Sequence, residues 1–254
     1  MRNGLVQRLL DELAQVWNIA IKDIKVYYLT PPMLMFGLMM PFFMFFSFSV
    51  RREMAAAQSV ARLLALTTFF SASSAGPVII PLERRMGTYD RLLAAPMSLV
   101  ALLFGKSLVG AFFAIAVSAV PLLVGLLWLR VAVANIGVLV IGLVMASTAF
   151  SAFGLAFASV PTRSVGSIMM PSTMIRWPLL FISGVFIPLD EMATWMRPVA
   201  YISPLTYAQD LMNHAVLGMG LINTWVDLAV LLLSAILFLL LAVWMHQRSR
   251  RLGY

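Results

Sequence analysis

The sequence predicts an all-α, polytopic membrane protein, and three observations support this class. Hydrophobic residues make up 62% of the 254 residues and charged residues only 11%, whereas a soluble domain is about 45–50% apolar and about 25% charged. Six stretches are apolar over roughly the 20 residues that a membrane-spanning helix needs. Most Lys and Arg residues fall in alternate connections, as is typical of membrane proteins. An apolar excess of this size is best buried in lipid.

Residues 1–30 predict an amphipathic helix on the cytoplasmic membrane interface, ahead of a transmembrane domain in residues 31–254. At about 100° per residue, apolar side chains share one face of this helix and charged or amide side chains share the other. The apolar face comprises Leu5, Leu9, Leu13, Val16, Ala20, Ile24 and Tyr27. Asp23 lies near the apolar edge and weakens the pattern slightly. A helix of this kind lies along the interface, and its early charges argue against a secretory signal.

The six apolar stretches are expected to form the spanning helices. They cover residues 32–50, 60–82, 99–129, 131–160, 165–189 and 225–245. Very few residues around Arg130 separate the third from the fourth, which predicts a tight hairpin. Small residues of the fourth, such as Gly142 and Gly154, allow close helix packing. Pro171 and Pro178 are expected to break the fifth helix.

The distribution of basic residues predicts the orientation of the chain. Six spans place both termini on the same side of the membrane, and that side carries most of the Lys and Arg residues. The positive-inside rule then places both termini and residues 83–98 in the cytoplasm, with the chain in the inner membrane. Arg51 and Arg52 are exceptions to this pattern. The net charge of +8 is explained in this way without a nucleic-acid partner.

Residues 83–98 form a charged segment between two apolar stretches. Gly87 and Thr88 indicate a helix break followed by a cap, and Pro96 ends the segment. The charged residues expected to face water are Glu83, Arg84, Arg85, Asp90 and Arg91. The segment is either a solvated loop or a compact cytoplasmic helix. We favour the helix, because two amphipathic turns separated by Gly-Thr are suited to docking into a groove of a partner.

Residues 190–218 predict a short helix on the outer side, before the last span. Ser203 and Pro204 are typical of an N-cap and a first helical residue, and Gly218 of a helix end. Apolar residues then recur at helical spacing from Leu205. We expect this helix to enter the outer leaflet or to lie on it. The aromatic residues expected at headgroup depth are Trp195, Tyr201 and Tyr207.

The sequence offers no catalytic constellation. Cysteine is absent, which excludes disulfides and thiolate chemistry, and we predict neither a metal site nor a nucleotide site. We expect His214 to be solvated or to cap a helix rather than to bind a ligand. Arg176, inside the fifth span, either faces a polar cavity or partner or extends to the cytoplasmic edge. The spans lack a chain of acidic residues, which argues against a proton-coupled carrier.

Two motifs resemble those of ABC-2 type transporter permeases. The first, E-R-R-x-G-T-x-x-R-L-L-A-x-P-x-S at residues 83–98, is similar to the cytoplasmic motif of that family. The second consists of S-G-V-F-I-P-L at residues 183–189 and W-M-R-P-V-A-Y-I-S-P-L-T-Y-A at residues 195–208. It is similar to the family's stretch at the end of the fifth span and the external re-entrant helix. With the amphipathic helix, the resemblance covers nearly the whole chain.

The resemblance implies the membrane subunit of an ATP-binding-cassette exporter. Two separate ATPase subunits would bind ATP and Mg, and a second copy of the chain or a close relative would pair with it. This chain would hold no cofactor and have no ATPase activity. The residues expected to couple it to the ATPase are Glu83, Arg84, Gly87, Thr88, Arg91, Leu92 and Pro96. Those expected in the external helix are Trp195, Tyr201, Pro204, Leu205 and Tyr207.

The apolar, Met-rich spans favour a hydrophobic or amphipathic cargo, such as a drug-like compound or a lipid. A polysaccharide or a lipid-linked glycan is the alternative cargo. An ion-coupled secondary transporter is the alternative from another class. We place the translocation path along the first, second and fifth spans, with Ser183, Gly184 and Arg176 as candidate residues.

Overall fold

The computed structural model describes residues 17, 21–28, 31–49, 55–94, 98–160, 162 and 164–251. This part of the chain forms helices and turns without strands, which confirms the all-α prediction. The helices are α1 (residues 31–49), α2 (Ala56–Arg85), α3 (Thr88–Ala94), α4 (Leu99–Leu127), α5 (Ile136–Ala158), α6 (Val165–Ile182), α7 (Arg197–Ala200), α8 (Pro204–Leu217) and α9 (Thr224–Arg251). Within α1, the α-helical parts Pro31–Leu34 and Met40–Ser49 are joined by a π-helical stretch, Met35–Met39.

Five of the described helices are long and apolar enough to cross a membrane. They are Ala56–Arg85, Leu99–Leu127, Ile136–Ala158, Val165–Ile182 and the Thr224–Ser249 part of α9. In α1 the apolar part, Gly37–Ser47, is shorter. The chain is therefore a multi-pass helical membrane protein, and the sixth span at residues 32–50 stays a prediction.

The amphipathic helix predicted for residues 1–30 lies largely outside the described residues. Residues 21–28 are helical and end in a π-helical stretch, Ile24–Tyr28. In this segment Ile21 and Val26 are exposed, whereas Asp23 and Tyr28 are buried. The carboxylate that weakened the amphipathic pattern is thus directed into the protein.

Helix α2 forms the centre of the bundle. It contacts α4, α5 and α8, and 94% of its most apolar stretch is buried. Helix α2 therefore forms the core of the bundle and does not face lipid. A Cβ atom built on Gly76 would lie 2.9 Å from the backbone carbon of Gly154. The backbones of α2 and α5 therefore touch at these two glycines, as small residues permit in membrane helices. The predicted role of Gly154 in close packing is confirmed.

Helices α4 and α5 are joined by residues 128–135, in which Arg130 has a positive φ of 50°. The side chain of Asn135 begins α5, because its Oδ1 accepts a hydrogen bond from the Val138 N–H at 3.1 Å. The Asn135 N–H donates to the carbonyl of Ala215, 2.9 Å away. The predicted hairpin is confirmed, and its connection is fastened to α8.

Helix α6 continues through both Pro171 and Pro178, so the predicted break is wrong. Proline removes one backbone donor, but neighbouring helices and local adjustments make this tolerable in membrane helices. The buried residues of α6 are Ile168, Ser172, Arg176 and Leu180. They recur every four residues, so α6 meets the rest of the chain along one narrow stripe.

Helix α8 has the predicted bounds. Pro204 is its first residue and Gly218, with φ of 74°, follows its last. Ser203 occupies the N-cap position, although its hydroxyl makes no capping hydrogen bond. Helix α8 contacts α2, α5 and α9 and buries Leu205. The predicted placement of this helix at the outer leaflet stays a prediction.

Candidate coupling site and outer cavity

The segment predicted to couple the chain to an ATPase consists of the end of α2, a turn and α3. Helix α2 continues to Arg85, and Gly87 then adopts a positive φ of 70°, a conformation that glycine adopts at no steric cost. Thr88 begins α3, and its Oγ1 donates to the carbonyl of Glu83 at 3.3 Å. The helix break at Gly87 is confirmed. Pro96 lies outside the described residues.

Glu83 and Arg84 are buried, with 0% and 6% exposure, so the prediction that they face water is wrong. The reason is that both belong to the last turn of α2, which is covered by the N-terminal segment and by α4. Arg85 and Arg91 are exposed, as predicted. Leu92 is half-buried against a core that includes Leu102.

Four charged residues meet beside the end of α2: Lys22, Asp23, Glu83 and Lys106. We call them the ion-pair cluster. The Lys22 ammonium lies 2.6 Å from Glu83 Oε1 and 2.9 Å from Asp23 Oδ1. The Lys106 ammonium lies 2.8 Å from Glu83 Oε2 and 3.0 Å from Asp23 Oδ2. Each ammonium group therefore contacts both carboxylates, and the four charges cancel.

Because the ion-pair cluster is largely buried, each of its charges needs a partner of opposite charge. Asp23, Glu83 and Lys106 are at most 3% exposed, where an unpaired charge would be costly. Lys22 is more exposed. Burial opposes the charged form of Lys22, but hydrogen bonds and charge interactions with Asp23 and Glu83 outweigh it and raise the pKa of Lys22. The cluster thus joins the N-terminal segment to α2 and α4 through ion pairs.

A second set of contacts holds α3 against the ends of α2, α5 and α9. Arg84 donates to the carbonyl of Val160 at 2.6 Å, and its guanidinium carbon lies 5.2 Å from the ring centre of Tyr89. Tyr89 is 1% exposed, and its ring centre lies 6.1 Å from that of His246. His246 hydrogen-bonds Ser159. Tyr89 therefore anchors the short helix α3 in the bundle.

Four residues of this site were not predicted from the sequence: Lys22, Asp23, Lys106 and Tyr89. Two signals were available. Asp23 lies near the apolar edge of an amphipathic helix, and Lys106 lies inside a stretch long enough to span a membrane. Each is an ionisable residue in an apolar position, which indicates a buried partner of opposite charge.

A cavity of about 570 Å³ lies at the far end of the bundle from α3; we call it the outer cavity, because the predicted orientation places this end outside. Ser183 and Gly184 line it, as do the polar residues Arg62, Gln209 and Asn213. This places two of the three candidate path residues in one polar cavity.

The aromatic residues predicted at headgroup depth differ in exposure. Trp195 and Tyr201 are exposed, at 75% and 45%. Tyr207 is 9% exposed, and its hydroxyl donates to the carbonyl of Tyr201 at 2.8 Å. Tyr207 is therefore part of the packing that ties α7 to α8.

Arg176, the third candidate path residue, is not among the residues that line the outer cavity. It is 3% exposed. Its guanidinium donates to Ser74 Oγ at 3.2 Å and to the carbonyl of Ser73. Of the two alternatives for Arg176, the structure supports an interior polar partner, namely the serine-rich part of α2.

These features define a polytopic helical membrane protein. The chain matches the protein-family model for the ABC-2 type transporter over residues 14–217, and it therefore belongs to the ABC-2 type transporter family. It is also similar to nodulation protein J of Rhizobium leguminosarum bv. viciae, with 29% identity over 107 residues. That match covers 39% of this chain and 40% of the relative, so it spans less than half of either protein.

Proposed function

We propose that this chain is the membrane subunit of an ABC exporter and has no ATPase site of its own. Two separate ATPase subunits would bind ATP and Mg and supply the energy. The observation that carries the proposal is α3, a short helix isolated by Gly87, exposed at Arg91 and anchored by the buried ring of Tyr89. Membership of the ABC-2 type transporter family supports the same function.

The geometry suggests how α3 passes on a push from the ATPase. Exposed residues such as Arg91 would contact the ATPase, while Tyr89 and Leu92 contact the bundle. A displacement of α3 would reach α2 through Arg84 and the adjoining Glu83. Because Glu83 holds Lys22 and Lys106, the N-terminal segment and α4 would move with the end of α2. Packed cores respond to such displacements by switching between discrete arrangements.

The proposed orientation places both termini and α3 in the cytoplasm, with α1 completing six spans in the inner membrane. The absence of cysteine from the sequence makes single-cysteine labelling a clean test. A membrane-impermeant maleimide should label Trp195→Cys in intact cells and Arg91→Cys only after the membrane is opened. Labelling of Arg91→Cys in intact cells would overturn the orientation and the coupling role of α3.

A second copy, or a close relative, would pair with this chain to enclose the path. The exposed apolar side chains of α1 and α6 support this arrangement, among them Phe46 at 72% and Met174 at 73% exposure. Disulfide formation in Met174→Cys, but not in Leu240→Cys on the 62% exposed lipid-facing side of α9, is the expected result. Equal cross-linking at both positions would contradict pairing through α6.

A hydrophobic or amphipathic molecule is the proposed cargo because the spans are apolar and rich in Met, and a polysaccharide or a lipid-linked glycan is the second candidate. The polar lining of the outer cavity favours the second, because Arg62, Gln209 and Asn213 offer donors and acceptors for hydroxyl groups. ATP hydrolysis by the assembled complex should be stimulated by the true cargo. Comparing a lipid-linked glycan with an apolar dye separates the two candidates.

Purified complex in vesicles gives the decisive test of the function. Transport should require ATP and both subunits, and it should fail with ATPase carrying an inactivated nucleotide site. Transport without ATP, or a chain that never retains an ATPase in detergent, would contradict the exporter and favour an ion-coupled carrier.

A further inference from the structure

Three residues of the ligand-binding types converge at the far end of the bundle from α3. They are Asp210 and His214 of α8 and Asp227 in the first turn of α9, and we call them the Asp210 cluster. One ligand atom from each residue lies within 4.8 Å of the ligand atoms of the other two. The proposed coupling through α3 makes no use of this cluster, although Asp210 also lines the outer cavity.

Asp227 is the feature that points to a ligand. Its side chain is 0% exposed, and neither carboxylate oxygen has a hydrogen-bond partner within the described part of the chain. A buried polar group normally has a partner, and a buried carboxylate without one is costly. Asp227 therefore lacks the group that should satisfy it.

The polar neighbour of Asp227 is another carboxyl group, that of Asp210, which can satisfy it only if a proton or a cation lies between the two. Asp210 is 2% exposed, and its two oxygens accept hydrogen bonds from the N–H groups of Leu221 and Ile222, each at 2.9 Å. His214 Nε2 lies 3.5 Å from Asp210 Oδ2 and donates a hydrogen bond to the carbonyl of Ile222 at 2.7 Å, so a cation bound at this nitrogen would release its proton. Two buried carboxyl groups and an imidazole thus lie together, with the carbonyl oxygen of Ile222 beside the imidazole.

We propose that the Asp210 cluster binds a divalent transition-metal cation, with Zn²⁺ as the best match. One imidazole nitrogen with carboxylate oxygens is a donor set that suits Zn²⁺ and, with lower affinity, Mn²⁺. The cation would neutralise Asp227 and Asp210 together. Ile222 adds an oxygen to the set, and water can complete the coordination.

The loop between α8 and α9 is built close over the Asp210 cluster. A Cβ atom on Gly220 would lie 2.6 Å from Asp210 Oδ2 and would collide with the ring of His214, so glycine is required for this approach. Asn223 Oδ1 accepts a hydrogen bond from the Trp225 N–H at 2.9 Å and starts α9, which presents Asp227. A bound cation would therefore cross-link α8, the loop and α9.

The test uses the full chain in detergent, purified through a tag without histidine and stripped with EDTA. Calorimetric titration with ZnCl₂ should show one saturable site per chain, and MnCl₂ should bind more weakly. At a hundredfold excess over Kd, the Zn²⁺-bound protein should unfold about 5 °C higher. Asp227→Asn and His214→Gln should each weaken Zn²⁺ binding at least tenfold.

Asp190→Asn is the matched control, because it removes an exposed carboxylate that lines the same cavity as Asp210 but is not in the Asp210 cluster, and it should leave Zn²⁺ binding unchanged. If a cluster variant fails to fold, visible absorption of the wild-type protein titrated with Co²⁺ still reports ligation by nitrogen and oxygen. Wild-type protein without saturable Zn²⁺ or Mn²⁺ binding would overturn the proposal. So would equal affinity in Asp227→Asn, which would indicate a shared proton between the carboxyl groups instead.

Discussion

The two buried groups of charges differ in how their charges are balanced. In the ion-pair cluster, beside the end of α2, two ammonium groups each contact both of two carboxylates. At the beginning of α9, the Asp210 cluster combines two carboxylates with one imidazole, and Asp227 lacks a hydrogen-bond partner in the described chain. The first group is complete within the chain. The second needs a proton or a cation from outside.

The largest loss of stability should come from removing one charge from the ion-pair cluster. Glu83→Ala leaves Lys22 and Lys106 facing Asp23 alone, and removing one partner of a buried pair costs about 3–5 kcal/mol of unfolding free energy. The measurement is unfolding of the purified chain in detergent. Transport-coupled ATP hydrolysis should fall as well.

A double variant that removes one negative and one positive charge tests whether the lost stability comes from the unpaired charge. Glu83→Ala combined with Lys106→Ala leaves the Lys22–Asp23 pair intact, so more than half of the lost free energy should return. A cost below about 1 kcal/mol for Glu83→Ala alone would show that the cluster is not buried as described.

Removing a charge from the Asp210 cluster should have the opposite effect and raise the stability of the chain when no metal is present. In chelator, Asp227→Asn replaces an unpaired buried carboxylate by a neutral amide and should stabilise the chain by about 1–2 kcal/mol. In excess Zn²⁺ the order should reverse, because the variant loses a ligand. Unfolding midpoints in both conditions give the comparison, with Asp190→Asn as the silent control. Destabilisation in chelator would indicate that Asp227 is already satisfied.

Substitutions of Gly87, between α2 and α3, test the need for a positive φ at this position without the added effect of a steric clash. Gly87 has a φ of 70°, and a Cβ atom at this position would meet nothing within 4 Å, so Gly87→Ala should cost about 1 kcal/mol by strain alone. Gly87→Asn should cost less, since Asn tolerates this conformation. Thermal unfolding of the two variants measures the difference. Equal costs for Ala and Asn would contradict the conformational explanation.

The smallest change in stability is expected at Arg91, where a substitution should nevertheless reduce stimulation of the partner ATPase. Arg91 is exposed on α3, so Arg91→Gln should alter the unfolding free energy by less than about 0.5 kcal/mol. Stimulation of the partner ATPase should nevertheless fall. Arg130→Gln removes an exposed charge at the opposite end and should leave ATPase activity unchanged. Normal stimulation by Arg91→Gln would count against coupling through this face of α3.

Local signals were sufficient for much of the fold. Apolar length placed α2, α4, α5, α6 and α9, and Pro204 and Gly218 placed the ends of α8, because each depends on residues adjacent in sequence. The break at Gly87 was predictable for the same reason. The break at Pro171 and Pro178 was wrong, because a membrane helix can tolerate proline when neighbouring groups compensate.

The site was less predictable, because its partners are distant in sequence. Lys22 and Glu83 are 61 residues apart, and Lys106 and Asp23 are 83 apart. Helical periodicity cannot show which of several charged residues will meet across the bundle. Glu83 looked solvated because α2 extends beyond its apolar stretch, and the covering N-terminal segment and Lys106 are remote from it in sequence. The Asp210 cluster was missed because Asp227 belongs to a different helix from Asp210 and His214.

The stripe of α6 has a consequence for assembly. Because its fully buried residues recur only every fourth position, most of the surface of this helix is not buried against the rest of its own chain. A neighbouring polypeptide or a passing lipid tail could occupy that free surface without displacing a single intramolecular bond of Arg176. Contacts that a partner makes along α6 would thus add to the contacts within the subunit instead of replacing them.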